Sequence, residues 1–215
     1  MGSHGNRKKD VPPAPPQEGW EQWRERFTRF DPAQAVEAFG LRREGDLVYV
    51  PYWGRNYRLR LTDGVLEKER EDGTYTEQLE RNEALVLYHT LGDLQEGARL
   101  SGKWVPEDEL QAKAGGGKQV DWKRAAAMVA AGYQGRLPQF NERCKALGGV
   151  PTNRGDAGWE IRPLPWLPVR LLFWAEDEEF PANLQVLVDS HVTMYLELAA
   201  VECLVWDVLS EVGKG

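Results

Sequence analysis

Cysteine, histidine and serine are all scarce in this chain, with two, three and four residues respectively among 215. Cys144 and Cys203 stand far apart and outside any Cys-x-x-Cys pair, so they read as small buried hydrophobes rather than as a disulfide framework or cluster ligands. None of the serines sits in a G-x-S-x-G elbow, and the contiguous Asp189-Ser190-His191 is no relay, because a triad is assembled in space from separated elements. No segment approaches the ~20 apolar residues that span a bilayer, and the longest run, Ala125 to Ala131, stops at Gly132. The start of the chain also lacks the apolar stretch of a signal peptide, so a cytoplasmic protein without a membrane partner is expected. Positive charge is in the minority, at 27 Lys and Arg against 34 Asp and Glu. A surface with a net charge of -7 repels a phosphate backbone. Arg55 to Arg60, RNYRLR, is the one candidate patch, and its alternation is that of a solvated strand face, so no nucleic-acid partner is expected.

What is present is enough apolar material for one domain. Hydrophobic residues make up 41% and charged residues 28%, which suits a single globular unit over residues 20–215 that buries roughly 70% of its unfolded surface. Residues 1–19 are Pro-rich and open on Met-Gly-Ser-His, and read as a disordered tail or a vector-derived scar.

Trp20, Trp23, Phe27 and Phe30 recur at helical spacing and predict a first helix with an aromatic stripe. Asp31-Pro32 predicts the cap and first turn of a short helix that ends at Gly40. From Asp46 to Glu69 the period shortens. Three runs rich in β-branched and aromatic residues, separated by Gly54 and Asp63-Gly64, predict an antiparallel meander in which Pro51 marks an edge or bulge. Thr74 and Glu77 have capping-box spacing ahead of a buried helix that runs to Leu94. Residues 100–119 read as mostly loop. The Gly115-Gly116-Gly117-Lys118 run is no phosphate loop, since Ala112 and Gln119 stand where a glycine and a Ser or Thr are needed. Helices are predicted near 121–131 and 137–147. Val169–Trp174 and Leu184–Val188 read as strands buried on both faces, and Met194–Leu209 as a closing helix. The fold class is α+β, with a mainly antiparallel sheet, an N-terminal meander plus a C-terminal hairpin, packed with several helices.

The C-terminal third carries a resemblance. Pro165, Pro168, Trp174, Asp177, Glu178, Glu179, Phe180, Pro181 and Asp189 resemble the Trp-x-x-Asp-Glu-Glu-Phe-Pro segment of an uncharacterised bacterial and archaeal family of anaerobes, a domain of unknown function. Leu87, His89 and Leu91, with Gly102 and Trp104, are weaker echoes. Some relatives carry a fused iron-sulfur module, which implies work near redox or one-carbon enzymes. This chain lacks the cysteines to bind such a cluster. The resemblance supplies no catalytic residue.

Asp177, Glu178 and Glu179, with Asp189 and His191, invite a metal reading. Only seven residues, Asp177 to Asn183, separate the two strands, too few for a parallel crossover, so the strands form a hairpin and Asp189 lies on the order of 17 Å from the acidic corner. Neither a metal nor a cofactor is therefore expected. The corner reads as a turn whose carboxylates cap nearby N–H groups or meet a basic partner, with Phe180 plugging it into the core. His89 reads as a satisfied core histidine, because no second His, Cys or carboxylate is found at ligand spacing on its face. Of the nine tryptophans, Trp53, Trp104 and Trp166 sit in loops or beside prolines and are the candidates for a flat ligand. The leading expectation is a non-enzymatic binding or accessory domain serving a redox or cofactor-dependent enzyme, with an unidentified protein or small-molecule partner. The alternatives are a hydrolase or transferase that uses Asp177–Glu179, with or without a metal, and a structural subunit with an aromatic oligomer interface.

Overall fold

A computed structural model describes residues 20–113 and 121–215. The tail through residue 19 and the glycine run at 115–117 with Lys118 lie outside the described residues.

The meander forms where the period shortens. Strands β2 (Leu47–Tyr52), β3 (Arg55–Arg60) and β4 (Val65–Glu69) pair antiparallel, with short β1 (Arg43–Glu44) and β5 (Tyr75–Thr76) on the edges in the order β1-β2-β3-β4-β5. Val48, Val50 and Tyr52 alternate into the core, which pins the register. Strand β1 pairs with β2 only at Leu47 and Val48, so β2 is an edge at Pro51, as a residue without an N–H requires. The turn from β2 to β3 is Trp53-Gly54. Both residues have positive φ, 51° and 67°, the geometry of a primed hairpin turn. That backbone is costly for tryptophan, and Trp53 is tied down by its N–H, which donates to the Pro163 carbonyl at 2.8 Å. Gly64 is also required. A Cβ there would lie 2.2 Å from the Arg24 carbonyl of helix α1 (Trp20–Phe27).

Two start signals act differently from expectation. Asp31 does not cap helix α2 (Ala33–Phe39); its carboxylate pairs with Arg43 at 2.8 Å. Thr74 and Glu77 form no capping box, because Tyr75 and Thr76 are drawn into the ladder with β4. Helix α3 (Arg81–Gly92) starts later, with Glu83 reaching back to accept from the Glu80 N–H at 3.1 Å.

The second sheet has the order β6-β10-β9-β8-β7, from β6 (Trp104–Val105), β7 (Val150–Thr152), β8 (Ala157–Leu164), β9 (Leu167–Trp174) and β10 (Asn183–Asp189). The predicted hairpin is β9–β10, in register from Trp174 opposite Asn183 to Val169 opposite Val188. Helices α5 (Lys123–Gly132) and α6 (Leu137–Ala146) form as expected, whereas α7 (Leu198–Val212) starts after a short 3-10 turn at Val192–Met194. Strand β6 and helix α4 (Glu107–Lys113) occupy the stretch read as loop. Elements of two and seven residues are too short for a period to appear. The two sheets and the helices make an α+β architecture whose buried apolar side chains form a continuous cluster. Among the described residues no helix is long and apolar enough to cross a membrane.

Candidate functional site

The acidic corner is a turn fixed by Asp177. Its Oδ1 accepts from the N–H of Glu179 at 2.8 Å and of Phe180 at 2.7 Å, and its own N–H donates to the Phe180 carbonyl at 3.0 Å. Those two amide donors hold the Asp177 carboxyl below its ordinary value. Glu178 and Glu179 are exposed, and neither side chain has a partner among the described residues. Phe180 is not the expected plug. It is 66% exposed, the most exposed large hydrophobic residue among those described, because a turn closed this tightly by its own aspartate points the residue after the acids outward.

Asp189, at the far end of β10, is 1% exposed and joins segments far apart in sequence. Its Oδ1 accepts from the Ser101 N–H and hydroxyl, both at 2.9 Å, and from the His191 N–H at 2.8 Å. Its Oδ2 accepts from the Gly102 N–H at 2.7 Å. Burial acts to raise this carboxyl, but the four donors outweigh it and leave the group below its ordinary value. The aspartate thus clamps the loop before β6 to the end of β10.

His89 is 3% exposed and does have carboxylates at reach, contrary to expectation. Asp93 stands one helical turn on and bonds Nδ1, while Glu197, at the start of α7, lies 3.3 Å from Nε2. The i, i+4 spacing to Asp93 was visible in the sequence; the contact with Glu197 needed the fold. The ligand atoms of these three residues lie within 4.8 Å of one another, close enough for a cation. However, Asp93 also accepts from Arg26 Nη1 at 3.2 Å and from the Glu197 N–H; burial acts to raise its carboxyl, but His89 first, then Arg26 and the Glu197 N–H, outweigh it and hold the group below its ordinary value. Its lone pairs are committed to α1, α3 and α7. Trp23 closes over the ring at 4.2 Å. The arrangement is a hydrogen-bonded joint between helices α1, α3 and α7.

The three candidate tryptophans do not converge. Trp104 lies beneath the Arg170 guanidinium, 3.8 Å from the ring centre. Trp53 occupies the strained turn of the first sheet. Trp166 stacks on Phe39 at 4.1 Å and 5°, and lines a cleft of about 450 Å³ with Arg42, Tyr49, Asn56 and Pro165. Trp166 thus meets the expectation of a cleft wall. The arginine strand, too, is partly neutralised: Arg58 pairs with Glu67 at 2.8 Å and Arg60 with the same carboxylate at 3.7 Å.

Two features were missed from sequence. Asp207, half-buried on α7, accepts from the Tyr52 hydroxyl at 2.6 Å and from Asn82 Nδ2 at 3.0 Å. Burial, with the negative charges of Glu83 and Glu211, pushes its carboxyl up to about 6. Its signal was an acid inside the otherwise apolar stretch Cys203 to Leu209 of the closing helix. The second feature is a cleft of about 410 Å³ between β10 and the starts of α4 and α5, lined by Pro106, Trp122, Lys123, Trp174, Leu184 and Val186 among others. Here Glu107 accepts from the N–H groups of Trp122 and Lys123 at 2.9 and 3.1 Å, while burial raises its carboxyl.

A two-sheet α+β protein with an acidic aromatic turn at one end of its second sheet is the class these features define. The chain belongs to the family described as a domain of unknown function, DUF3786, whose model matches residues 31–209. No curated protein and no solved structure matches it.

Proposed function

We propose that the chain is a non-enzymatic cytoplasmic accessory domain that binds another protein through the β9–β10 turn. The observation that carries this reading is Phe180, held outward on a turn locked by Asp177 and ringed by unpartnered Glu178 and Glu179. A fixed aromatic side chain spends little conformational entropy on binding, and carboxylates around it suit a partner with an apolar pocket rimmed by Lys or Arg. Cys144 and Cys203 are both buried, which suits small hydrophobes in a reducing compartment. The ground for service to a redox or cofactor-dependent enzyme is the resemblance to relatives with an iron-sulfur module. A catalytic use of the same corner is less favoured, since none of its carboxylates lines the clefts described above.

The test is quantitative capture from extracts of the source cells, followed by titration of the purified partner. Phe180→Ala and the double variant Glu178→Lys/Glu179→Lys should each weaken that partner by about tenfold or more, and affinity should fall as salt is raised. Equal capture by parent and variants overturns the reading.

A further inference from the structure

The outer edge of β2 is taken up at two points and left open between them. The Tyr49 N–H donates to the Arg42 carbonyl at 2.9 Å, and the Trp53 N–H to the Pro163 carbonyl at 2.8 Å. Backbone groups two positions apart on a strand face the same side, so Pro51, midway between these residues, turns toward that edge as well. It has no N–H, and among the described residues nothing donates to its carbonyl. One chain segment reaches the edge after α2 and the other from β8, and the gap between them is the cleft of about 450 Å³ lined by Pro51 and Trp166. Its mouth is open, since Arg42, Asn56 and Pro165 are exposed.

Flat groups border this gap. The Trp166 indole stacks parallel on Phe39, the Arg42 guanidinium lies 3.6 Å over the Tyr49 ring, and all of these residues line the cleft. Asn56 gives its Nδ2 to Glu69, while its Oδ1 has no partner among the described residues. The Nε1–H of Trp166 is buried and lacks an acceptor among the described residues. Buried polar groups are paired in the great majority of cases, so an orphan donor on a ring that lines a cleft calls for an explanation, which a bound molecule supplies. We infer that the cleft binds a free planar heteroaromatic molecule of one or two fused rings, which lies against Trp166 and donates a ring N–H to the Pro51 carbonyl. Flat walls select a flat ring, and the open carbonyl and amide oxygens select a donor on it. The volume is at the small end of the roughly 300–1,000 Å³ typical of ligand sites, which sets the ring count. A phosphorylated ligand is not favoured, because Arg42 already pairs with Glu44 at 3.1 Å. The cleft adjoins the start of β9 and the Phe180 turn follows its end, so the eight residues of the strand, roughly 24 Å, separate the two. The inference therefore stands apart from the docking reading of the turn.

The test is an NMR titration of the full chain that follows backbone amides and indole N–H resonances. Quinazolin-4-one and adenine serve as flat probes that carry an N–H, quinoline as a flat ring without one, and cyclohexanecarboxamide as an N–H donor without a flat ring. At about 1 mM, at least one of the first two should shift the Tyr49 and Asn56 amides and the Trp166 indole resonance, with the other two probes at least about tenfold weaker. Asn56→Trp fills the mouth of the cleft from an exposed position, and should cut the affinity of the responding probe by about tenfold or more at an unchanged melting temperature. Trp166→Ala should do the same by removing the wall; if that variant does not fold, Asn56→Trp decides alone. Phe180→Ala should leave probe binding within about twofold. Absence of shifts with either flat N–H probe, equal response to all the probes, or binding that survives Asn56→Trp overturns the inference. Loss of probe binding in Phe180→Ala overturns it too, by placing the probe at the turn.

Discussion

The two ends of the β9–β10 hairpin each carry an aspartate that gathers backbone N–H groups, and they differ in burial and in how far along the chain those groups lie. Asp189 is buried and binds Ser101 and Gly102, 88 and 87 residues away. Asp177 is exposed and binds only Glu179 and Phe180, two and three residues away. Bonds between distant segments close a long loop and vanish when the protein unfolds, so their free energy belongs to global stability. Bonds within a turn shape that turn and leave it free to carry recognition. Similar carboxylate chemistry thus produces a clamp at one end of the hairpin and a presentation device at the other.

The clamp end should give the largest response. Asp189→Ala leaves three backbone N–H groups and the Ser101 hydroxyl without their acceptor, and we expect a loss of about 3–5 kcal/mol in denaturant unfolding. Asp189→Asn keeps one carbonyl acceptor and should lose roughly half as much. A loss below about 1 kcal/mol would remove the distinction drawn between the two ends.

Asp207 sharpens the comparison, because there burial outweighs the hydrogen bonds and the carboxyl is raised instead of lowered. A folded value of about 6 against an ordinary 3.8 means that the folded state holds a proton the unfolded state has released. This group's contribution is therefore fully present below the unfolded value and is lost as pH rises from about 4 to about 6. Asp207→Asn should be more stable than the parent by about 1–2 kcal/mol at neutral pH and lose that advantage near pH 4, as seen in paired melts. Asn82 Oδ1, buried without a partner among the described residues, is a ready acceptor for the new amide. An advantage independent of pH would show that packing, not ionisation, sets the effect.

Much of this was legible in sequence and some was not, for physical reasons. The meander, the β9–β10 register and the Asp177 turn are local: alternation and a short connection specify them. The contacts of His89 divide in the same way. Asp93 lies one turn along the same helix, whereas Glu197 arrives from α7, and no spacing rule spans 108 residues. Phe180 was misread because an aromatic residue among prolines and acids gives no sign of which way a turn aims it. Strand β6 and helix α4 were invisible because elements of two and seven residues are too short to show a period.

At the turn itself the effects should be small. Phe180→Ala should change stability by less than about 0.5 kcal/mol, as expected of a residue that is mostly in solvent, while weakening partner capture. A destabilisation of about 3 kcal/mol or more would restore the core-plug reading of this residue and undo its assignment as a contact.

Asp177 should give the smallest global response and the most local one. Its partners are amides on an exposed turn, so water replaces its oxygen when it is removed, and Asp177→Ala should leave the melting temperature of the whole chain essentially unmoved. What changes is order. The Glu179 and Phe180 amides should exchange faster in Asp177→Ala and keep their parental rates in Asp177→Asn, which retains one acceptor oxygen. Because the folded carboxyl sits below its ordinary value, the ordering is present above that value and is lost as pH falls through the depressed one. The Phe180 amide resonance, followed through an acid titration, reports that step directly. Partner binding should then weaken in Asp177→Ala even though Phe180 is intact, since a freed turn must be ordered again at each encounter. If binding survives undiminished in Asp177→Ala, the turn is not what presents Phe180, and the contrast between the two aspartates reduces to burial alone.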